Sequence, residues 1–357
     1  KEGNSKEMLR SYGEVILALP GDSFDTHTQS TKDLIDDGIA RIMSNYLVLL
    51  PGTEMESPEA RQEFEYSTGF RIIPGAHGVY RWEEQEFLSF ESIEMVVSNK
   101  TMSLSDYLKC IEYDFVIECF YNNRFFDEFL GLLGFLDIPI SQYMDEIFQL
   151  RDQFPASLHE VFNELVQARR GELWNDRSEM IRHYEGNPDE FSKISQNEHK
   201  ASLATSKSVV VFRHVEDLNS IAYQALVNYL KHCGKDTENN LEYLKEASVN
   251  SLMRKQRLLD DDVVSRTMHY DFVSMEKLKF NADPSDFLVP SGIEILYKPN
   301  DELLARNAYY LQVESSEVVL WRKLLYEKRV DENSSLCRQT EKVESTLNPG
   351  DLTGALR

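Results

Sequence analysis

The sequence predicts an α/β chain: the late strands of a partial parallel (TIM-like) barrel followed by a mainly α-helical C-terminal domain. Three observations carry this expectation. An apolar run, Glu14-Val15-Ile16-Leu17-Ala18-Leu19, stops at Pro20-Gly21-Asp22. A second run over residues 42–50 stops at Pro51-Gly52-Thr53-Glu54. One helix-length segment separates the two, and from Ser103 onward apolar residues recur at helical spacing. Continuous apolar runs mark strands buried on both faces. A strand, a helix and a parallel strand form a right-handed βαβ unit.

The first strand covers residues 14–19. Asp22 or Ser23 can cap the helix that follows, whose Phe24, Thr28, Thr31, Leu34 and Ile35 share a face, and Gly38 ends it. Pro58 opens a short helix to Phe64. Between residues 69 and 99 three short strands are expected, at 70–73, 79–82 and 93–97, the last as a closing barrel strand. Ser103 and Asp106 make a capping-box variant. Further helices are expected over 141–153, 157–170, 215–232, 241–259 and 301–310, with strands at 268–272 and 292–297. The resulting divisions are residues 1–100 (barrel portion), 101–184 (helical region), 185–208 (a polar linker or exposed loop), 209–330 (helical or α+β domain) and 331–357 (a polar, frayed tail).

Of the 357 residues 41% are hydrophobic, enough for a sizeable core. The formal net charge of −23 repels phosphate backbones and argues against nucleic acid as a partner, while leaving room for a local basic pocket. No run reaches the roughly 18 apolar residues of a membrane span, so no membrane partner is expected. Cys110, Cys119, Cys233 and Cys337 are widely spaced, which suits a reduced, cytoplasmic chain and offers no metal site. Lys rather than Met at position 1 leads to the expectation that sequence precedes it.

In a parallel barrel, function gathers at the C-terminal strand ends, where both Pro-Gly turns fall. These residues resemble a known family. Glu-Val-Ile-Leu-Ala-Leu-Pro-Gly-Asp-Ser at 14–23 and Leu-Leu-Pro-Gly-Thr-Glu-Met at 49–55 are similar to late-barrel segments of radical S-adenosylmethionine (SAM) enzymes. Ser57-Pro58-Glu59-Ala60-Arg61, Thr68-Gly69-Phe70-Arg71-Ile72-Ile73-Pro74-Gly75, Gly78-Val79-Tyr80 and Asn99-Lys100-Thr101-Met102-Ser103 resemble the subgroup with an N-terminal cobalamin-binding domain. The resemblance covers residues 10–130 and is loose beyond.

The resemblance implies a fragment of a radical SAM enzyme that generates a 5'-deoxyadenosyl radical and abstracts hydrogen from a small-molecule substrate, with methyl transfer through cobalamin as one outcome. It places Glu14, Leu19, Pro20, Gly21 and Asp22 beside the SAM methionine and adenosine, and Leu50, Pro51, Gly52 and Thr53 beside the adenine. Ala18 and Asp22 depart from the family's Gly and Glu. The family's Cys-x3-Cys-x2-Cys loop, which binds a four-iron four-sulfur cluster, has no counterpart here. The cluster and cobalamin therefore belong to a missing N-terminal portion of the same protein, the implied partner. The chain alone is expected to be inactive.

Arg71, Tyr80 and Glu94 are substrate-side candidates. Arg71 is a forked donor for carboxylate or phosphate, with an ion pair to Glu83, Glu84 or Glu86 as its alternative; Glu94 is either a barrel-mouth carboxylate or a salt-bridged one. His27, one turn into the first helix, is either a ligand contact or an exposed or capping residue. His232-Cys233 is poor geometry for a shared metal. Phe115, Phe120, Tyr121, Phe125, Phe126 and Phe129 read first as core. The rival function is a non-enzymatic acidic helical interaction module that retains a barrel remnant. An open edge at residues 14–19 leads to self-association of the isolated chain; a monodisperse monomer with one cooperative melt, by size exclusion with light scattering and by calorimetry, would refute this.

Overall fold

The computed structural model describes residues 11–195, 202–314, 316–326 and 337–343. Its N-terminal part is a βαβ unit of β1 (Tyr12–Leu17), α1 (Phe24–Asp36) and β2 (Arg41–Tyr46), with β1 and β2 parallel and Glu14 opposite Met43. Ser23 and Thr26 form a reciprocal capping box at α1, so the first Pro-Gly turn runs straight into a helix start. Next come α2 (Pro58–Phe64), begun by proline as expected, and a long antiparallel hairpin of β3 (Ser67–Trp82) and β4 (Gln85–Ser98).

Two strand expectations change. Residues 42–50 are not one strand: β2 ends at Tyr46, and Leu47 to Leu49 cross to β4, with the Leu49 amide on the Glu94 carbonyl at 2.9 Å and the Val96 amide on the Leu47 carbonyl at 3.0 Å. Residues 93–97 belong to β4, which runs antiparallel both to β3 and, through the Val48–Met95 bridge, to the segment just past β2. A parallel barrel needs a parallel neighbour there. The described residues form small sheets and no closed barrel, so the class is mixed α/β. Periodicity reports burial and not strand direction, which is why the hairpin read as separate strands.

The helical region begins with α3 (Leu104–Val116), capped by Ser103 as expected, and continues without a break into a π-helical turn over Ile117–Tyr121. A kink follows in which Asn123 and Arg124 have φ of 64° and 49°. Then come α4 (Asp127–Phe135), α5 (Ile140–Gln149), α6 (Ala156–Gly171), α7 (Arg177–Gly186), α8 (Pro188–Ser195), α9 (Leu203–Arg213), α10 (Val215–His232) and α11 (Glu238–Lys255). The expected linker at 185–208 is helical where it is described: it holds the end of α7, all of α8 and the first turns of α9. The polar residues at its end misled the reading because they are buried and paired, with Lys207 on Glu118 at 3.3 Å and the Ser208 hydroxyl on the Ala204 carbonyl at 2.8 Å. The last part is a three-stranded antiparallel sheet of β5 (Val264–Tyr270), β6 (Leu288–Lys298) and β7 (Gln339–Lys342), order β5-β6-β7, with α12 (Phe272–Lys277), α13 (Asp301–Val313) and α14 (Glu317–Tyr326). β7 lies within the expected frayed tail. Buried Arg338, just before it, donates to the carbonyls of Asp262 (2.7 Å) and Arg257 (3.0 Å) and anchors it; the rest of that tail lies outside the described residues.

One apolar core runs from β1 and β2 through the helices to β5 and β6. Phe115, Phe120, Phe126 and Phe129 are fully buried in it, as expected of a helical core. A smaller cluster of Ile72, Met180, Tyr184 and Phe191 seats α7 and α8 on the hairpin. Inside the main core Glu128 carries a charge that is matched on all sides: Arg254 at 2.9 Å, Lys255 at 3.0 Å and the Asn250 amide at 3.3 Å. Gly131 of α4 lies so close to the Phe280 turn that a Cβ there would meet the Phe280 carbonyl oxygen at 2.3 Å.

The kink after α3 has a specific job. Asn122 accepts from the Ile42 amide at 2.9 Å and donates to the Ile42 carbonyl at 2.8 Å, doing for β2 what a neighbouring strand would do. Asn122→Leu keeps the bulk but leaves both buried Ile42 groups unpaired, at about 1–3 kcal/mol for each. Urea unfolding should show that loss, and a cost below about 1 kcal/mol in total would show that the pairing is dispensable.

Candidate functional site

The two Pro-Gly turns lie at the carboxyl ends of the parallel strands. Gly21 and Gly52 have φ of 89° and 82°, which side chains rarely adopt, and the space above each is open. The first turn is braced by a segment about eighty residues away in the chain. Asn99 donates its amide to the carbonyls of Ala18 (3.0 Å) and Leu19 (3.2 Å), and the Thr101 hydroxyl donates to the Asp22 carbonyl at 2.6 Å. The second turn closes on itself: the Thr53 amide and hydroxyl both donate to the Leu50 carbonyl, at 3.1 and 2.8 Å. Leu50, Pro51, Gly52 and Thr53 are exposed, whereas Leu19, Pro20 and Asp22 are half-buried. Glu14 is exposed and accepts from the Asn45 amide at 3.1 Å.

Of the three substrate-side candidates, Glu94 is fully engaged. Arg61 grips it with two parallel bonds, 2.7 and 2.8 Å, and the Thr68 hydroxyl adds a third at 2.7 Å. The Arg61 hydrogen bonds outweigh desolvation and hold this carboxyl below its ordinary value. Tyr80 sits near the hairpin tip, exposed and stacked on Phe87 at 5.9 Å, away from the cavity described below. Arg71 pairs not with Glu83, Glu84 or Glu86 but with Glu172 at 2.9 Å. The reason is a local pairing of Phe70 with Trp174, 2.7 and 2.8 Å between their backbones, which brings the end of α6 alongside β3.

Arg71 thereby lines a cavity of about 330 Å³ beside β2, which sequence reasoning did not find. Arg41 and Tyr46 come from β2, Arg169 and Glu172 from α6 and its C-terminus, Glu118 from the π-helical turn, Arg322 and Tyr326 from α14, and the N-terminus of α9 closes it. Arg169 donates to Glu172 at 2.6 Å and to the Tyr46 hydroxyl at 2.7 Å, and its guanidinium lies 4.4 Å from the Tyr46 ring centre. Burial opposes ionisation of the Tyr46 phenol and raises it above its ordinary value. Desolvation works against the Glu118 carboxylate, but the charges of Lys207 and Arg41, with hydrogen bonds from Tyr326 (2.7 Å) and Asn122 (2.7 Å), hold it ionised. Such a pocket can take an oxyanion. The signal available in the sequence was slight: arginines spread over 281 positions converge only in three dimensions.

The cysteines do not fit an iron–sulfur cluster. Cys110, Cys119 and Cys337 are buried, and burial pushes each thiol up, away from the thiolate that a cluster requires. Among the described residues no group of three His, Cys, Asp or Glu is placed to hold a metal, and no helix is long and apolar enough to cross a membrane.

His27 is neither a ligand contact nor exposed: it is buried and meets Asp114 of α3 at 2.9 Å. Desolvation disfavours its charged form, but the Asp114 charge and hydrogen bond, helped by Asp22, prevail and raise its pKa above the ordinary value. The stability this pair contributes is complete below the unfolded value of about 6.5 and is lost as pH rises through the higher folded value. Wild type should therefore lose stability relative to His27→Gln as pH increases from about 6 upward. Denaturant unfolding at several pH values checks this; a pH-independent difference would refute it. A scan against family models and a search of curated proteins find no match to this chain.

Proposed function

We propose that this chain is the ligand-facing C-terminal part of a radical SAM enzyme of the cobalamin-binding subgroup. In this reading β1 and β2 are late strands of a partial parallel barrel, completed by an N-terminal portion of the same protein in a reducing, cytoplasmic compartment. One observation carries it: Asn99 and Thr101, from one resembling segment, brace the Leu19-Pro20-Gly21-Asp22 turn of another. Both turns lie at the carboxyl ends of adjacent parallel strands.

SAM would be held at Leu19, Pro20, Gly21 and Asp22 and at Leu50, Pro51, Gly52 and Thr53, with Glu14 nearby. The open space above Gly21 and Gly52 suits close approach by a ligand. Bound SAM supplies the radical chemistry of the whole enzyme. This chain's own residues position it: Asn99 occupies the Ala18 and Leu19 carbonyls and stiffens the turn, and Thr53 fixes the second one. The four-iron four-sulfur cluster and cobalamin are assigned to the N-terminal portion.

The test is anaerobic reconstitution with iron and sulfide of this chain alone and of the chain joined to the polypeptide encoded immediately before it. Cleavage of SAM to 5'-deoxyadenosine is expected only from the joined protein. Gly21→Val, which forces a β-branched residue into a left-handed turn, should lower kcat/KM there tenfold or more. Cleavage by the chain alone, or none by the joined protein, overturns the proposal.

A further inference from the structure

We infer that the cavity beside β2 is a binding site for the oxyanion of a small molecule, a phosphate ester or a dicarboxylate. The inference rests on the cavity alone and not on the SAM reading. Its volume of about 330 Å³ falls within the roughly 300–1,000 Å³ of small-molecule sites.

Four arginines face two carboxylates in this cavity, in a chain whose net charge is −23. The carboxylates are already matched: Glu172 by Arg71 and Arg169, and Glu118 by Lys207 behind the wall. Arg322 is left over, and Arg41 acts on Glu118 only through its charge at longer range; neither has a carboxylate at salt-bridge distance among the described residues. Arg41 lies over the Tyr326 ring at 5.6 Å, which fixes the guanidinium in place and leaves its edge free to donate.

Unused donors point the same way. The Nε atoms of Arg41 and Arg71 and the hydroxyls of Ser44 and Thr205 are buried and have no hydrogen-bond partner among the described residues. Buried polar groups are nearly always paired, so four orphans in one lining call for a ligand that pairs them. The eleven-residue helix α9 begins at the same place: Leu203, Ala204 and Thr205 line the cavity, and the Ser202 side chain makes no cap. The first amides of a helix have no partner within it and carry its positive end. Forked arginines, hydroxyls and a helix start from separate elements converge on one recess, which suits the two or three oxygens of a phosphoryl group or carboxylate. A polymer of phosphates is repelled by the acidic surface around it.

The test is isothermal titration of the full chain at low ionic strength with inorganic phosphate, pyrophosphate and succinate. Saturable one-to-one binding is expected for at least one, weakened tenfold or more in both Arg41→Gln and Arg322→Gln. Arg213→Gln, an exposed arginine paired with Glu317, should bind like wild type. Binding of the phosphates alone assigns a phosphoryl group, and binding of succinate alone a dicarboxylate. Arg322 is half-buried and has no hydrogen-bond or ion-pair partner among the described residues, so its variant reports even if Arg41→Gln unfolds; circular dichroism establishes folding of each. No saturable binding of any probe, or binding that survives both substitutions, overturns the inference.

Discussion

The N-terminal half depends on how the backbone of β2 is satisfied. A parallel pair of strands is a poor structure by itself, because each outer edge presents unpaired amides and carbonyls. Here the chain solves the problem for β2 in two ways. Past Tyr46 it hands the strand to β4, and at Ile42 it substitutes a side-chain amide, that of Asn122, for a neighbouring strand. The second solution requires an irregular helix. The π-helical turn and the two left-handed residues after it aim Asn122 at β2, and Glu118, one turn earlier, orients the amide. Because Glu118 is buried it needs Lys207, and Lys207 brings α9 to the same place. One backbone deficit thus accounts for a kink, a buried ion pair and the position of the helix that closes the cavity.

The helical half shows a related economy. Glu128 has no exposed surface, yet each oxygen is met by a cation. Removing one member of such a set strands the others, so the cluster ties α4 to α11. Tyr297 of β6 reaches the same cluster through Asn250, at 3.0 Å, so the C-terminal sheet is keyed to the helical layer by polar geometry as well as by apolar burial.

Much of this was legible in the sequence. The βαβ unit, the Ser23 cap of α1 and the Ser103 cap of α3, the proline start of α2, and α5, α6, α10 and α11 all follow from periodicity and capping residues near their observed bounds. Strand direction was not legible, because an apolar run looks the same beside a parallel or an antiparallel neighbour. Nor were buried charges: Lys207 fell in the segment read as a linker or exposed loop, and Glu118 and Glu128 gave no signal, since a single residue does not announce its partner. The turns were found because their chemistry is local. The cavity was missed because its arginines lie on four segments that only the fold assembles, although Arg71 was singled out for its donor geometry.

The contact between Gly131 and Phe280 extends beyond this one molecule. The α4 backbone touches the carbonyl of a turn in which Phe280 itself has a φ of 56°. No side chain fits between them, so drift at either position is blocked by the other. Any descendant of this sequence that keeps the two halves joined in this way must keep glycine at 131, whatever else it replaces. That position is a record of shared architecture that can outlast recognisable similarity in the cavity or the turns.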